Sequence, residues 1–310
     1  MATLLIRAGA FALLSFLASE IFIVDLEKKS IAAFDRYVLE TERGMDDRAK
    51  PFLRVDGIAD AKKKTKALES LRKGELIIES LETRANGRDI DVPDAIVHHW
   101  LGVVFVPGKT VSQAVALLQD YDHHQDIYKP NVARSKTVSR AGDRFTVYLR
   151  FFMDKGLTVV VNSDHDAVFT REAADRASSR IRSTRIAEVE EPGTPTERER
   201  PVGHDHGFLW RLNSYWRFLE RDGGVYVQCE SITLTRDIPF GFGVVVGSYT
   251  NRIPKETLTF TLEATRKELA RRSAQAGGRG VEGTVTGSSG AGAGATPPAD
   301  ARRIASRRPA

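Results

Sequence analysis

Between Trp210 and Phe218 the chain alternates. Trp210, Leu212, Ser214, Trp216 and Phe218 fall on one side, and Arg211, Asn213, Tyr215 and Arg217 on the other. A period of two marks a β-strand with one buried face, because successive side chains point to opposite sides of a sheet. Asp222-Gly223-Gly224 then supplies a tight turn, since glycine takes positive φ without steric cost. Val225 to Leu234 runs back as a β-rich partner. Pro239, Gly241, Gly243 and Gly247 interrupt the order, and Pro254 precedes a run in which Leu258, Leu262, Thr265 and Leu269 recur at helical spacing. A strand hairpin followed by a long closing helix constrains everything upstream: the chain is expected to build a sheet that grips this helix.

Upstream, Val24 to Met45 reads as an amphipathic helix with Ile31, Phe34 and Val38 on its apolar face. Pro51 to Val55 is short and extended. Ala59 to Leu71 is a second helix, with Leu68 and Leu71 opposite Lys62, Lys63, Lys64 and Lys66. That lysine face is a solvated surface or a transient contact for anionic lipid headgroups. Gly74 to Thr83 and Val92 to Val106 read as strands around an Asn86-Gly87 turn. Thr110 opens a helical region that ends before Pro130. Val132 to Val138, Arg144 to Met153 and Leu157 to Ser163 then follow as antiparallel strands, with a short strand at Ala167 to Thr170. Ala173 to Ser179 reads as irregular, Arg180 to Glu190 as a strand, and residues 191–206 as an exposed loop.

The 310 residues are 41% hydrophobic, enough for a sizeable core, and carry a formal charge of +5. Five arginines against two acids in residues 273–310 account for +3 of it, so the remainder is close to neutral. A neutral body gives no electrostatic reason to expect a nucleic-acid partner. Cys229 is the single cysteine, which excludes an intramolecular disulfide and a cysteine-based metal cluster. In a strand it reads as a small buried apolar residue.

Residues 1–19 place Arg7 before an apolar run from Ala8 to Ala18, the pattern of a secretory signal. An uncleaved anchor or a buried helix are the alternatives. Export to a periplasmic or extracellular location is the expectation. Residues 20–73 form an N-terminal helical extension, residues 74–272 the main domain, and residues 273–310 a Gly/Ala/Arg-rich tail expected to be disordered.

The span from about Gly74 to Ala270 resembles the START-like, or SRPBCC, superfamily of lipid-transfer, polyketide cyclase-like and coenzyme Q-binding proteins. Three stretches carry the resemblance. One is Leu117-Leu118-Gln119-Asp120-Tyr121 leading to Tyr128-Lys129-Pro130-Asn131-Val132. Another is Tyr215-Trp216-Arg217-Phe218 with Gly223-Gly224 and Glu230-Ser231-Ile232-Thr233-Leu234. The last is Ile238-Pro239 and Ile253-Pro254 entering the helix with Leu262 and Thr265-Arg266. The resemblance implies an α+β helix-grip fold: a curved antiparallel sheet of about seven to nine strands around a long C-terminal helix, with an apolar cavity between them. It names no ligand, since one fold hosts many functions.

The candidate ligand-binding residues follow from that cavity. Trp100, Tyr121, Tyr128, Phe151, Trp210, Trp216 and Phe218 are aromatics on the sheet or the facing helix. Arg150 and Glu230, like Arg182, are charges in mid-strand that must be paired or bind a polar ligand end if they point inward. Phe242 lies in the bend from Phe240 to Tyr249, which reads either as a mobile gate or as a rigid turn. The Gly-x-Gly of that bend lacks the strand-to-helix context of a dinucleotide site.

The histidine pairs His98-His99, His123-His124 and His204-x-His206 tempt a metal reading. Adjacent residues on a strand or helix diverge, and a zinc site takes three or four preorganised ligands. No metal, cofactor or catalytic residue is assigned. The chain holds no Gly-x-Ser-x-Gly elbow and no Walker loop.

The expected function is binding or transport of a hydrophobic small molecule (lipid, isoprenoid quinone or polyketide-like compound) by a monomer. An aromatase/cyclase-like or hydrolytic enzyme of the same fold, and a protein-interaction module, are the alternatives.

Overall fold

The computed structural model describes residues 28–47, 49–154, 158–237 and 244–278, with side chains of the last segment described for 252–272. Residues Met1–Arg272 cluster as one compact unit and Ser273–Ala310 as another.

The centre is a nine-stranded antiparallel sheet. Its strands are β1 (Ile77–Ser80), β4 (Ala95–Pro107), β5 (Val132–Ala141), β6 (Arg144–Asp154), β7 (Thr158–Ala173), β8 (Arg176–Glu190), β9 (Arg198–Glu199), β10 (Arg211–Arg221) and β11 (Gly224–Arg236). The order across the sheet is β1-β4-β11-β10-β8-β7-β6-β5, with β9 attached to β8. Two short strands, β2 (Arg84–Ala85) and β3 (Arg88–Asp89), form a separate hairpin. The hairpin read from the sequence is there: β10 pairs β11 from Arg211↔Leu234 to Arg221↔Gly224. Asp222 (φ 58°) and Gly223 (φ 75°) close it in the left-handed conformation that such a turn requires.

Helices cover both faces of this sheet. On the convex side lie α1 (residues 28–46), a 3-10 turn at Arg54–Gly57 and α2 (Ala61–Arg72). Phe34, Tyr37 and Val38 of α1 pack on Tyr215, Ile232 and Leu234. Leu53, Val55 and Leu71 pack on Leu101, Val103, Phe105 and Tyr226. The described residues of the segment expected as an N-terminal extension thus pack on the sheet as a layer. Asp60 caps α2 by accepting from the backbone of Lys62 and Lys63.

On the concave side lie α3 (Val111–Leu118), α4 (His124–Ile127) and α5 (Val244–Gly278). A capping box between Thr110 and Gln113 starts α3. Leu117 and Leu118 of α3 join Leu258, Leu262 and Leu269 of α5 over Val104, Val106, Phe218 and Val227. A sheet covered on both sides explains why β4 and β11 are buried along most of their length. Together the curved antiparallel sheet and the long closing helix make an α+β helix-grip fold.

Four sequence expectations are corrected. The strand expected to stop at Ser163 and resume at Ala167 is one element, β7. Asp164 and Asp166 project to the convex side while Ser163, His165 and Ala167 are buried, so the period of two is never broken. The irregular stretch at Ala173 to Ser179 is a two-residue turn feeding β8, whose Ala177 and Ser179 are buried. Pro254 does not precede the closing helix but lies inside it, and residues 244–249 are helical rather than a bend. A proline inside a helix costs one backbone hydrogen bond. Here the buried contacts of Leu258, Leu262 and Leu269 hold the helix to the sheet around it. The helix also continues past Ser273 to Gly278. The expected signal, the rest of the tail and Phe242 lie outside the described residues.

Candidate functional site

A cavity of about 240 Å³ opens between the concave face of the sheet and α5. Its floor follows from strand register. In β10 the residues facing it are Leu212, Ser214 and Trp216. In β11 they are Cys229, Ser231, Thr233 and Thr235, with Trp216 opposite Cys229 and Ser214 opposite Ser231. Leu149, Phe151 and Met153 of β6, Val159 and His165 of β7, and Ile181 of β8 raise the far wall. Ile253, Pro254, Thr257, Leu258 and Thr261 of α5 cover it. Leu118, Tyr121, His124 and Tyr128 close one end; Gly207, Phe208 and Leu209 close the other.

The first end is a packed aromatic cluster whose rings meet tilted and edge-on. His124 lies 4.7 Å from the ring of Tyr121 and 5.1 Å from that of Tyr128, between centroids. The His124 Nε2 contacts the Leu118 carbonyl at 3.1 Å, which places a proton on Nε2. Burial pushes His124 down to about 4 and has the same effect on His165. Burial also raises the hydroxyls of Tyr121 and Tyr128 well above the ordinary phenol range. The walls therefore carry four titratable rings that stay uncharged at neutral pH.

Three lining residues have a buried polar atom with no partner among the described residues: the Tyr121 hydroxyl, Nδ1 of His165 and the Thr233 hydroxyl. Such a group costs roughly 1–3 kcal/mol when left unsatisfied. His165 is fixed through its other nitrogen, 2.9 Å from Ser163 Oγ, which itself donates to the Leu149 carbonyl.

The second end is held by two carboxylates. Glu188 accepts from the backbone of His206 and of Phe208, at 2.9 Å each, and pairs with His206 Nδ1 at 2.8 Å. Asp205 accepts from Trp210 Nε1 and from the Gly207 backbone at 2.9 Å each. Burial first, and then the charge of Glu188, raise Asp205 above the usual carboxylate range.

Of the ten residues expected to bind ligand, four line the cavity: Tyr121, Tyr128, Phe151 and Trp216. Phe218 shares their face but is packed solid under α3 and α5. Trp100 packs against the same core beside Lys255, whose Nζ lies 5.8 Å from its ring centre, and does not line the cavity. Trp210 sits just before β10 and packs against Phe34 and Tyr37, on the opposite side to its expected face.

Arg150 and Glu230 also face away from the cavity. Their strand neighbours Leu149, Phe151, Cys229 and Ser231 point in, so they point out. Arg150 forks onto Glu197 at 2.8 and 2.9 Å. Glu230 accepts from His99 Nε2 at 2.7 Å, and the other ring nitrogen of His99 lies 3.0 Å from the Tyr37 hydroxyl. His98, next along β4, faces the concave side and meets Thr235 at 3.0 Å. The paired histidines therefore share no site, and no group of three metal-ligating side chains occurs among the described residues.

His165 and the hydroxyls of Ser214, Ser231 and Thr233 were not foreseen as lining residues. The signal for the hydroxyls was present: stepping back by twos from Trp216 gives Ser214, and the hairpin register then gives Ser231 and Thr233.

The curved sheet and its closing helix place the chain in the helix-grip class. No family model matches it, and no curated protein does. Among solved structures it is similar to a STAR-related lipid transfer protein fragment from Xanthomonas axonopodis. That likeness has 16% identity and a TM-score of 0.43, covering 63% of this chain and 93% of the other. The Zhui aromatase/cyclase from Streptomyces sp. R1128 is similar at 14% identity and TM-score 0.40, covering 59% and 99%. Human STARD10 is similar at 12% identity and TM-score 0.38, covering 71% and 85%.

Proposed function

We propose that the protein binds a hydrophobic small molecule in the cavity between the sheet and α5. The observation that carries this reading is the lining itself. Leu149, Phe151, Met153, Trp216, Leu258 and Phe208 converge on a space that the core leaves unfilled. A packed interior fills its voids, so an apolar space of this size is kept for an occupant. Each Å² of apolar ligand surface withdrawn from water contributes about 25 cal/mol before the entropic cost of binding.

Native mass spectrometry followed by organic extraction tests the reading. A co-purifying molecule, or one taken up on challenge, should appear at one per chain and be lost in Trp216→Ala. A protein that stays empty after challenge with a broad set of apolar compounds would sink the proposal.

A further inference from the structure

We propose that the cavity takes a compact, uncharged ligand bearing hydroxyl or carbonyl groups along one edge. This rests on the cavity being the binding site, and it narrows the class of occupant.

Size is the first argument. A volume of about 240 Å³ lies below the usual range for drug-sized ligands. It suits one or two fused rings. That favours a compact molecule over two acyl chains or a long prenyl tail.

Polarity is the second. Ser214 and Ser231 face each other across β10 and β11, and Thr233 and Thr235 extend the row. The Thr233 hydroxyl has no hydrogen-bond partner among the described residues, and neither has His165 Nδ1 or the Tyr121 hydroxyl. An oxygenated ligand supplies the missing partners; a hydrocarbon leaves them orphaned. The far wall, with Leu149, Phe151, Met153, Val159 and Ile181, is mostly apolar and adds only His165 to these groups, so most of the ligand's polar groups belong on the β10–β11 edge.

Charge is the third. The described lining holds no carboxylate and no lysine. Its one permanently charged side chain, Arg236, is partly exposed at the end of β11. His124 and His165 stay neutral because burial holds both at about 4. An anion or cation placed deep among these groups would lose its hydration without gaining a counter-charge.

Titration calorimetry on the full chain decides the matter, with 2-naphthol, naphthalene and 2-naphthoate as probes and phosphatidylcholine vesicles for lipid uptake. The expected result is that 2-naphthol binds at least tenfold more tightly than either other aromatic, and that no phospholipid leaves the vesicles. Thr233→Val and Ser231→Ala should each weaken 2-naphthol about fivefold and leave naphthalene within twofold. Two variants guard against one that fails to fold, with thermal melts as the check.

Equal affinity for 2-naphthol and naphthalene would overturn the role of the hydroxyl row. Tightest binding of 2-naphthoate, abolished by Arg236→Gln, would replace the neutral ligand with an anionic one. Extraction of phosphatidylcholine would overturn the size limit. Each of these leaves the cavity as a binding site. Silence toward every probe would instead remove that underlying reading, and this inference with it.

Discussion

The Tyr128 hydroxyl lies 2.9 Å from Thr265 Oγ1, which in turn donates to the Thr261 carbonyl one turn back along α5. With its own proton committed, Thr265 accepts from Tyr128. One hydrogen bond therefore joins the segment after α4 to the closing helix, at the end of the cavity where the aromatics cluster. Replacing Tyr128 with Phe removes this bond and little else. It should cost about 1 kcal/mol of stability and speed hydrogen exchange of α5 amides near Leu262 more than those of β11. Equal protection in both elements would show that α5 does not depend on this link.

Gly102 sits where α5 crosses β4. A Cβ built there would meet Leu262 Cδ1 at 2.3 Å and Ile78 Cδ1 at 2.6 Å. Gly102→Ala should therefore destabilise by about 1–3 kcal/mol through overpacking. Leu262→Ala should relieve part of that cost, so the double variant should be more stable than the sum of the single effects predicts by about 1 kcal/mol. Strict additivity, measured by urea unfolding, would refute the contact.

Three buried histidines set an acid limit on the fold. His98, His124 and His165 are all held by burial at about 4. Unfolded, each titrates near 6.5, so the unfolded chain takes up protons between pH 6.5 and 4 that the folded chain refuses. Their contribution is fully present above pH 6.5 and is lost as the pH falls toward 4. Near pH 5 the slope approaches three protons, or roughly 4 kcal/mol per pH unit. Denaturant unfolding at pH 7.5, 6 and 5 should show the decline well before most carboxylates protonate. A flat profile across that range would contradict it.

Asp205 has the opposite sign. Its carboxyl is raised above its ordinary value by burial and by Glu188. The folded state thus holds the Asp205 proton more tightly than the unfolded chain, and the ionised form is a liability at pH 7 that is relieved on acidification. Asp205→Asn keeps an oxygen for Trp210 Nε1 and the Gly207 backbone. It should match the parent or exceed it by up to about 1 kcal/mol at pH 7. Asp205→Ala strips both donors of their acceptor and should lose about 1–3 kcal/mol. Equal destabilisation by both variants would show that the charge itself is needed.

The strand hairpin, the closing helix and the antiparallel order were legible because each rests on a local rule. Period two, a Gly-Gly turn and helical spacing of Leu258, Leu262 and Leu269 need no knowledge of distant contacts. The two-sided burial of the sheet was not legible. It depends on Phe34 and Leu53 finding Ile232 and Leu101 far along the chain. For the same reason the sequence could not fix whether Arg150 and Glu230 point inward or outward. A one-residue shift exchanges the faces of a strand, and only the partner Glu197 or His99 shows which face was used. Trp210 escaped its own alternation because the strand begins one residue later.

Ile232 stands between Ser231 and Thr233 with its side chain wedged under Phe34, while its two neighbours look into the cavity. The floor of the cavity thus has a backing plate. Strands clamped between two helical layers cannot bow to suit a guest, so the positions of the floor hydroxyls are cast before any ligand arrives. The fit of a ligand is decided partly by residues it never touches, on the far side of the sheet. Phe34 is one of them, and reshaping it would retune the cavity from behind.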